Sequence, residues 1–166
     1  MLEKHGYHIF HRNLELIVNG HTYTEFDVVC SDFILEIKSG NYVDLNGLHK
    51  LYQEDRIPKG FRIYVYCPVK TSKEIAEYNS DYDTTKILYI NTLDPILENH
   101  KPQRICNIET QSMFDRFLNL RMDTIRYFDK VYVDLGAFLQ VVRTIACYRE
   151  SFSKSDGVGP ISSYRL

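Results

Sequence analysis

The 166-residue sequence is short of several features that would classify it at once. It has four cysteines, Cys30, Cys67, Cys106 and Cys147, set far apart with no CxxC pair and no Cys/His spacing of a zinc site. A disulfide framework and a structural zinc module are therefore not expected. Cys30 and Cys67 fall inside apolar, strand-like runs, where a free thiol serves as a small core residue, and the reading is of an intracellular protein with reduced thiols. Charge of one sign is not in excess either: 20 Lys and Arg stand against 22 Asp and Glu, a net charge of −2. That excludes a broad electrostatic footprint for nucleic acid but leaves room for a local one, and basic groups do cluster at Lys4, His5, His8, His11 and Arg12 and again at Lys50, Arg56, Lys59 and Arg62. No apolar run approaches the roughly 18 residues of a membrane span. The opening MLEKHGYHIF has no uninterrupted apolar region, so neither a membrane anchor nor a secretory signal is expected. Internal repeats, low-complexity segments and an internal domain boundary are also missing. Residues 1–150 read as one domain, and 151–166, rich in Ser and Gly, as a loosely ordered tail.

What is present is the composition of a globular domain, 44% hydrophobic and 25% charged, long enough to bury one core. LEKH, ended by Gly6, reads as the end of a helix and YHIFHRN as a strand. Asn19-Gly20 splits LELIVNGHTYTEFDVV into two strands of a hairpin. A tight turn at Cys30-Ser31-Asp32 leads to a third strand, FILEIK. Leu45, Leu48, Leu51 and Tyr52 have helical spacing and predict a helix over 44–57, closed by Pro58 and Gly60. FRIYVYCP (61–68) reads as a buried strand. The stretch 71–81 reads as a helix that opens with a capping-box pattern, Thr71 or Ser72 followed by Glu74 or Ile75. KILYIN (86–91) reads as another strand. Met113, Phe117, Leu120 and Phe128 predict a helix from about Thr110 to Lys130, and 134–150 a second with Asp134 as N-cap; their aromatic and methionine stripes read as core rather than as a cofactor site. The order is that of an α/β domain with a mixed sheet.

The chemistry concentrates in TEFDVVCSDFILEIKSG (24–40). Alternation along a strand puts Thr24, Phe26, Val28 and Cys30 on one face and Glu25, Asp27 and Val29 on the other. In the next strand Phe33, Leu35 and Ile37 oppose Ile34, Glu36 and Lys38. Pairing through the 30–32 turn brings Asp27 and Glu36 together on a polar face with Lys38 beside them. Two convergent carboxylates, with the Ile37 carbonyl, are oxygen ligands suited to Mg²⁺ or Mn²⁺. A lysine beside them can orient a water or stabilise charge on a phosphate in reaction. The competing reading is a solvated hairpin face carrying surface ion pairs, which stabilise little.

Asp27 followed nine residues later by Glu36-Ile37-Lys38 resembles the PD-(D/E)XK nuclease superfamily, with an acid on the second core strand and E-x-K on the third. The approach LEKHGYHIFHRN is similar to small resolvase-like members. The TEFD…EIKSG stretch, with Tyr52-Gln53 on the helix after it, is similar to nuclease-related and RecB-type domains, and the likeness spans roughly residues 2–67. Phe26 stands where a proline usually precedes the first acid. The resemblance implies a restriction-endonuclease-like α/β core, a central mixed sheet flanked by helices, with further C-terminal helices. It implies catalysis by Asp27, Glu36 and Lys38, and a Mg²⁺ or Mn²⁺ ion on Asp27, Glu36 and the Ile37 carbonyl. Glu3 is the acid available for the first-helix position, with Glu25 or Glu15 as its alternatives. Gln53, Lys50 and Glu25 would lie toward substrate, and His49 is placed to meet a phosphate. The expected activity is that of an endonuclease on DNA more than RNA, with branched or structured DNA among its candidate substrates, no membrane, and a homodimer whose interface would use the 110–150 helices. The alternatives are a degenerate member that binds nucleic acid or protein without hydrolysis, and a nuclease directed at RNA.

Overall fold

The computed structural model describes residues 1–30, 32–41, 43, 46–101, 125–127 and 130–155. A 3-10 turn, Leu2–His5, takes the place of the expected helix end and is closed by Gly6. Strands β1 (Ile9–Val18), β2 (His21–Cys30) and β3 (Phe33–Ile37) follow, then helix α1 (Asn46–Gln53), β4 (Arg62–Tyr66), α2 (Ser72–Asn79), β5 (Ile87–Ile90) and α3 (Asp94–Asn99). After them come β6 (Ile125–Tyr127), β7 (Lys130–Asp134) and the long helix α4 (Leu135–Ser155). The strands form one mixed sheet in the order β5-β4-β3-β2-β1-β7-β6. β3, β4 and β5 are parallel to one another, β2 is antiparallel to both of its neighbours, and β1 is parallel to β7. The α/β class with a mixed sheet and flanking helices is thus as expected.

Local signals account for most element ends. Asn19 and Gly20 both take positive φ, 52° and 78°, the backbone a two-residue turn needs to match strand twist. The Thr71 hydroxyl accepts the Glu74 N–H and the Glu74 carboxylate accepts the Thr71 N–H, so the capping box forms as read. Asp134 accepts the Ala137 N–H at 3.1 Å and caps α4. Helix α1 is shorter than the expected 44–57; Asp44 and Leu45 lie outside the described residues. Its end is a Schellman arrangement: Asp55 has φ 50°, the Arg56 N–H bonds the Leu51 carbonyl and the Asp55 N–H the Tyr52 carbonyl. An aspartate in the left-handed position, rather than Pro58, stops it.

Three expectations are corrected. Residues 125–127 and 130–134 are strands, not the end of a helix from Thr110. β7 pairs with β1 over Leu14–Ile17, satisfying backbone groups on that side of β1, and a demand made by a strand so distant in sequence has no local signature. Met113, Phe117, Leu120, Phe128 and Cys106 lie outside the described residues, as does everything after Ser155; α4 runs through the first five residues of the expected tail. Second, the apolar face of α4 as far as Ala146 is taken up by the chain's own core, so those residues lend the expected dimer interface no support. Phe138, Leu139, Val142 and Ile145 are buried in the chain's own core. Third, the sheet has no polar side: one core cluster covers each face. The larger holds Leu14, Leu16, Phe26, Val29 and Ile34 with residues of α1, α2 and α4. The smaller holds Leu2, Tyr7, Val28, Cys30, Phe33, Leu35 and Tyr64 with Ile96 of α3.

Phe26 and Val28 therefore lie in different clusters, against strict alternation. The cause is in the partner strand. Leu14 pairs with Phe26 and Arg12 with Val28 without a register shift, and Asn13 between them has φ 52°. A left-handed residue inside a strand turns the chain over, so both strands exchange faces where Asn13 meets Asp27. Among ordinary residues, asparagine tolerates that conformation best. We expect Asn13→Gly to change stability by a few tenths of a kcal/mol, whereas Asn13→Val lowers it by about 1–2 kcal/mol or more in urea denaturation. Equal stability of the valine variant and wild type would show that the backbone at position 13 does not need this conformation.

Candidate functional site

The β2–β3 ladder spans Val28 with Leu35 and Val29 with Ile34. Continuing that register sets Asp27 opposite Glu36, just past the last paired residues. There the face exchange turns the Asp27 side chain into the gap between the strands, and its carboxylate accepts the Ile37 N–H at 2.6 Å, standing in for a backbone carbonyl. On the other side of β3 the parallel pairing with β4 continues one residue further, the Lys38 N–H donating to the Tyr66 carbonyl at 2.8 Å. The group thus sits at the carboxyl end of β3, at an edge where open α/β sheets bind ligands.

Glu36 is only 4% exposed. Its Oε1 receives the Lys38 ammonium at 2.6 Å, while its Oε2 is buried without a hydrogen-bond partner. A buried carboxylate oxygen left unmatched is costly, and it is the donor a hard cation would take. Burial pushes the Glu36 carboxyl up to about 7; the Lys38 hydrogen bond and charge oppose that, and the neighbouring Asp27 charge adds to it. At Lys38, partial burial lowers the ammonium, but the Glu36 hydrogen bond and the charges of Glu36, Asp27 and Glu25 outweigh it and hold the amine above its ordinary value.

Of the residues read from the sequence, Asp27, Glu36, Ile37 and Lys38 are brought together. Ile37 gives its N–H to Asp27, so its carbonyl is what it can offer a metal, and its side chain is 42% exposed rather than core. Glu25 is half-buried, pairs with Glu15 across β1–β2 and contributes to the field at Lys38; Glu15 is 7% exposed and accepts the Thr22 hydroxyl at 3.2 Å. Glu3 is not brought in. It pairs with Arg12 at 2.9 Å on the surface, and its neighbour Leu2 packs in the smaller cluster, on the face opposite the one that Glu36 shares with Ile34. Gln53 bonds His49 at 2.7 Å and His49 meets the Tyr82 hydroxyl at 3.2 Å. Lys50 stands 5.7 Å from the ring centroid of Tyr23, four residues before Asp27 on β2. No hydrogen bond or ion pair among the described residues joins Gln53 or Lys50 to Asp27, Glu36 or Lys38. Nor does any group of three or more His, Cys, Asp or Glu side chains among the described residues form a metal-binding set. The donors are two carboxylates and a carbonyl.

Two contributors escaped the sequence reading. Asn13 sets the face exchange; its signal is an asparagine within an otherwise continuous strand pattern. Gly47 seats α1 on β2: a Cβ there would come within 2.3 Å of the Tyr23 carbonyl oxygen and 2.6 Å of Thr24 Cβ, so the helix approaches the strand that carries Asp27 more closely than any side chain permits. A glycine inside a helical run is the corresponding signal.

No protein-family model, curated protein or solved structure significantly matches the chain.

The raised Glu36 carboxyl has a sign in stability. A folded-state value near 7 against 4.5 for the free group gives stability that is fully present below pH 4.5 and lost as pH rises through 7, roughly 3 kcal/mol in all. Without divalent metal, Tm of the wild type should fall relative to that of Glu36→Gln by about 5–10 °C between pH 4.5 and pH 8. Parallel Tm profiles for the two proteins would mean that Glu36 is not ionising from a buried state.

Proposed function

We propose that the chain is a metal-dependent nuclease that hydrolyses phosphodiester bonds, with DNA as its substrate. The observation that carries this reading is the orphaned, buried Oε2 of Glu36 beside the Asp27 carboxylate and the Lys38 ammonium at the end of β3. The residues fit a hard divalent ion with oxygen ligands: Asp27, Glu36 and the Ile37 carbonyl would hold Mg²⁺ or Mn²⁺. Bound there, such an ion would polarise a phosphate and lower the pKa of a coordinated water. The chain's own residues do the rest. Asp27 fixes the Ile37 peptide through its N–H and so orients the carbonyl beyond it. Glu36 holds Lys38 at 2.6 Å, and the amine, kept protonated by its acidic neighbours, donates to the attacking water or to a non-bridging phosphate oxygen as charge builds there. Lys50 and Gln53 on exposed positions of α1 are placed for a phosphate backbone running past that edge. As supporting facts, the sheet order and the strand-end location suit this chemistry.

A second reading, a binding module that keeps the fold without hydrolysis, is favoured by the two-carboxylate donor set, since no third acidic ligand joins it among the described residues. No helix among the described residues is long and apolar enough to cross a membrane.

Purified protein with Mg²⁺ or Mn²⁺ should cut at least one member of a panel of duplex, single-stranded, branched and RNA substrates, and chelation should stop it. Asp27→Ala and Lys38→Ala should each lose about a hundredfold or more in rate while remaining folded by circular dichroism. Cleavage at wild-type rate by both variants would refute the assignment. Nucleic-acid binding without cleavage of any substrate would give the second reading instead.

A further inference from the structure

At the other end of the sheet, by the amino ends of β4 and β5, the chain forms an open pocket of about 900 Å³, at the large end of the range for small-molecule sites. Among the described residues its lining holds four cations, Lys59, Arg62, Lys86 and Arg143, and one acid, Asp55, which is spent on an ion pair with Lys86. Of the acids nearby, Asp83 accepts both the backbone N–H and the hydroxyl of Thr85 and Asp32 is held by His100. In a chain of net charge −2, this concentration of positive charge around a concave, partly apolar space is a local exception. Phe61 and Ile57 close it from the core side. Lys59 and Arg62 belong to the basic group that begins at Lys50 in the sequence, and the carboxylate site makes no use of these two.

Arg62 is held in place. Its guanidinium lies 5.8 Å from the Tyr64 ring centroid, with Nη1 donating to the Tyr64 hydroxyl and Nε to the Thr85 carbonyl, both at 3.4 Å. Behind it runs a buried chain. The Tyr64 hydroxyl meets His100 Nε2 at 2.8 Å and His100 Nδ1 meets the Asp32 carboxylate at 2.7 Å. With Nδ1–H given to Asp32, Nε2 accepts the tyrosine proton and the tyrosine oxygen accepts from Arg62. A guanidinium oriented in this way presents its remaining N–H groups as a fork suited to a tetrahedral oxyanion, and Lys59 and Arg143 line the same space.

We propose that this cavity is a binding site for a small phosphomonoester, its phosphate taken by Arg62, Lys59 and Arg143 and its body by the apolar floor. The site is separate from the carboxylates at the end of β3 and does not rest on the nuclease reading.

Adenosine monophosphate and inorganic phosphate are the probes, titrated by calorimetry into the full chain at fixed ionic strength without divalent metal. Adenosine monophosphate should bind saturably, inorganic phosphate should compete, and adenosine should not bind. Arg62→Ala and Arg143→Glu should each weaken binding tenfold or more, while Lys73→Glu, on the exposed surface of α2, and Asp27→Ala should leave it unchanged. Arg143 is exposed on α4, so its variant keeps the test sound if the Arg62 variant fails to fold. Four results would each overturn the proposal: no saturable binding, adenosine binding as well as its monophosphate, an equal loss with Lys73→Glu, or loss with Asp27→Ala, which would locate the anion at the carboxylate edge.

Discussion

Strands β1 and β2 exchange faces where Asn13 meets Asp27, and both the packing and the candidate site depend on that exchange. On one side of it the Leu14–Phe26 pair points into the larger cluster, where Phe26 meets Phe138 of α4 at 5.5 Å between ring centroids. On the other side Val28 and Cys30 point into the smaller cluster with Phe33 and Leu35. Without the exchange, one pair of strands could not feed both cores in this order. The residue at the pivot cannot lie flat on either face. Asp27 is therefore directed along the sheet, into the end of the β2–β3 ladder, where the Ile37 N–H needs an acceptor. A packing constraint on two apolar pairs thus delivers a carboxylate to the place where the chemistry of Glu36 and Lys38 is set.

The second constraint is electrostatic. Glu36 continues the face of Ile34, so it enters the sheet interior beside Val65 of β4, and desolvation is the largest influence on it. Lys38, two residues on along the same strand face, compensates one oxygen. It cannot compensate both, because its ammonium engages Oε1 and its backbone N–H is committed to β4. The unmatched oxygen goes with the central place of the strand: β3 lies between β2 and β4 with a core cluster on each face of the sheet, and the acid is buried there. On an edge strand the same three residues would form a surface ion pair of little consequence.

How much of this was legible in the sequence follows from the range of each interaction. Asn19-Gly20, the Thr71–Glu74 capping box and the Asp134 cap act within four residues and were readable as they stand. So was the meeting of Asp27 with Glu36, since a tight turn fixes the register of the strands around it. The two-sided burial of β2 and β3 was not, because alternation alone assumes that one side faces water; that error placed Phe26 with Val28 and counted Ile37 as core. The β6–β7 pair was not legible for a different reason. Its place is set by backbone groups of β1 more than a hundred residues earlier, while the residues around it also satisfy a helical period. The place of Glu3 was not legible, for a reason of topology: being close to the strand in sequence does not fix which face of the sheet the turn covers, and Leu2 and Tyr7 take it to the smaller cluster.

The donor count at Glu36 bears on which cation would suit the site. Two carboxylates and a carbonyl fall short of the all-protein cage that Ca²⁺ favours, with its 6–8 oxygen ligands, whereas Mg²⁺ keeps several waters and is commonly held by one or two carboxylates together with substrate phosphate. The orphaned oxygen of Glu36 and the Asp27 carboxylate match that sparse pattern. Lys38 changes the balance further. Its charge already offsets one of the two negative charges, so the free site attracts a dication less strongly than a bare pair of acids would, and a phosphate bringing its own negative charge would restore the attraction. Ion and phosphate would then bind each better in the presence of the other. Under the proposed nuclease reading the lysine, by weakening metal binding in the empty site, would tie occupancy to the arrival of substrate.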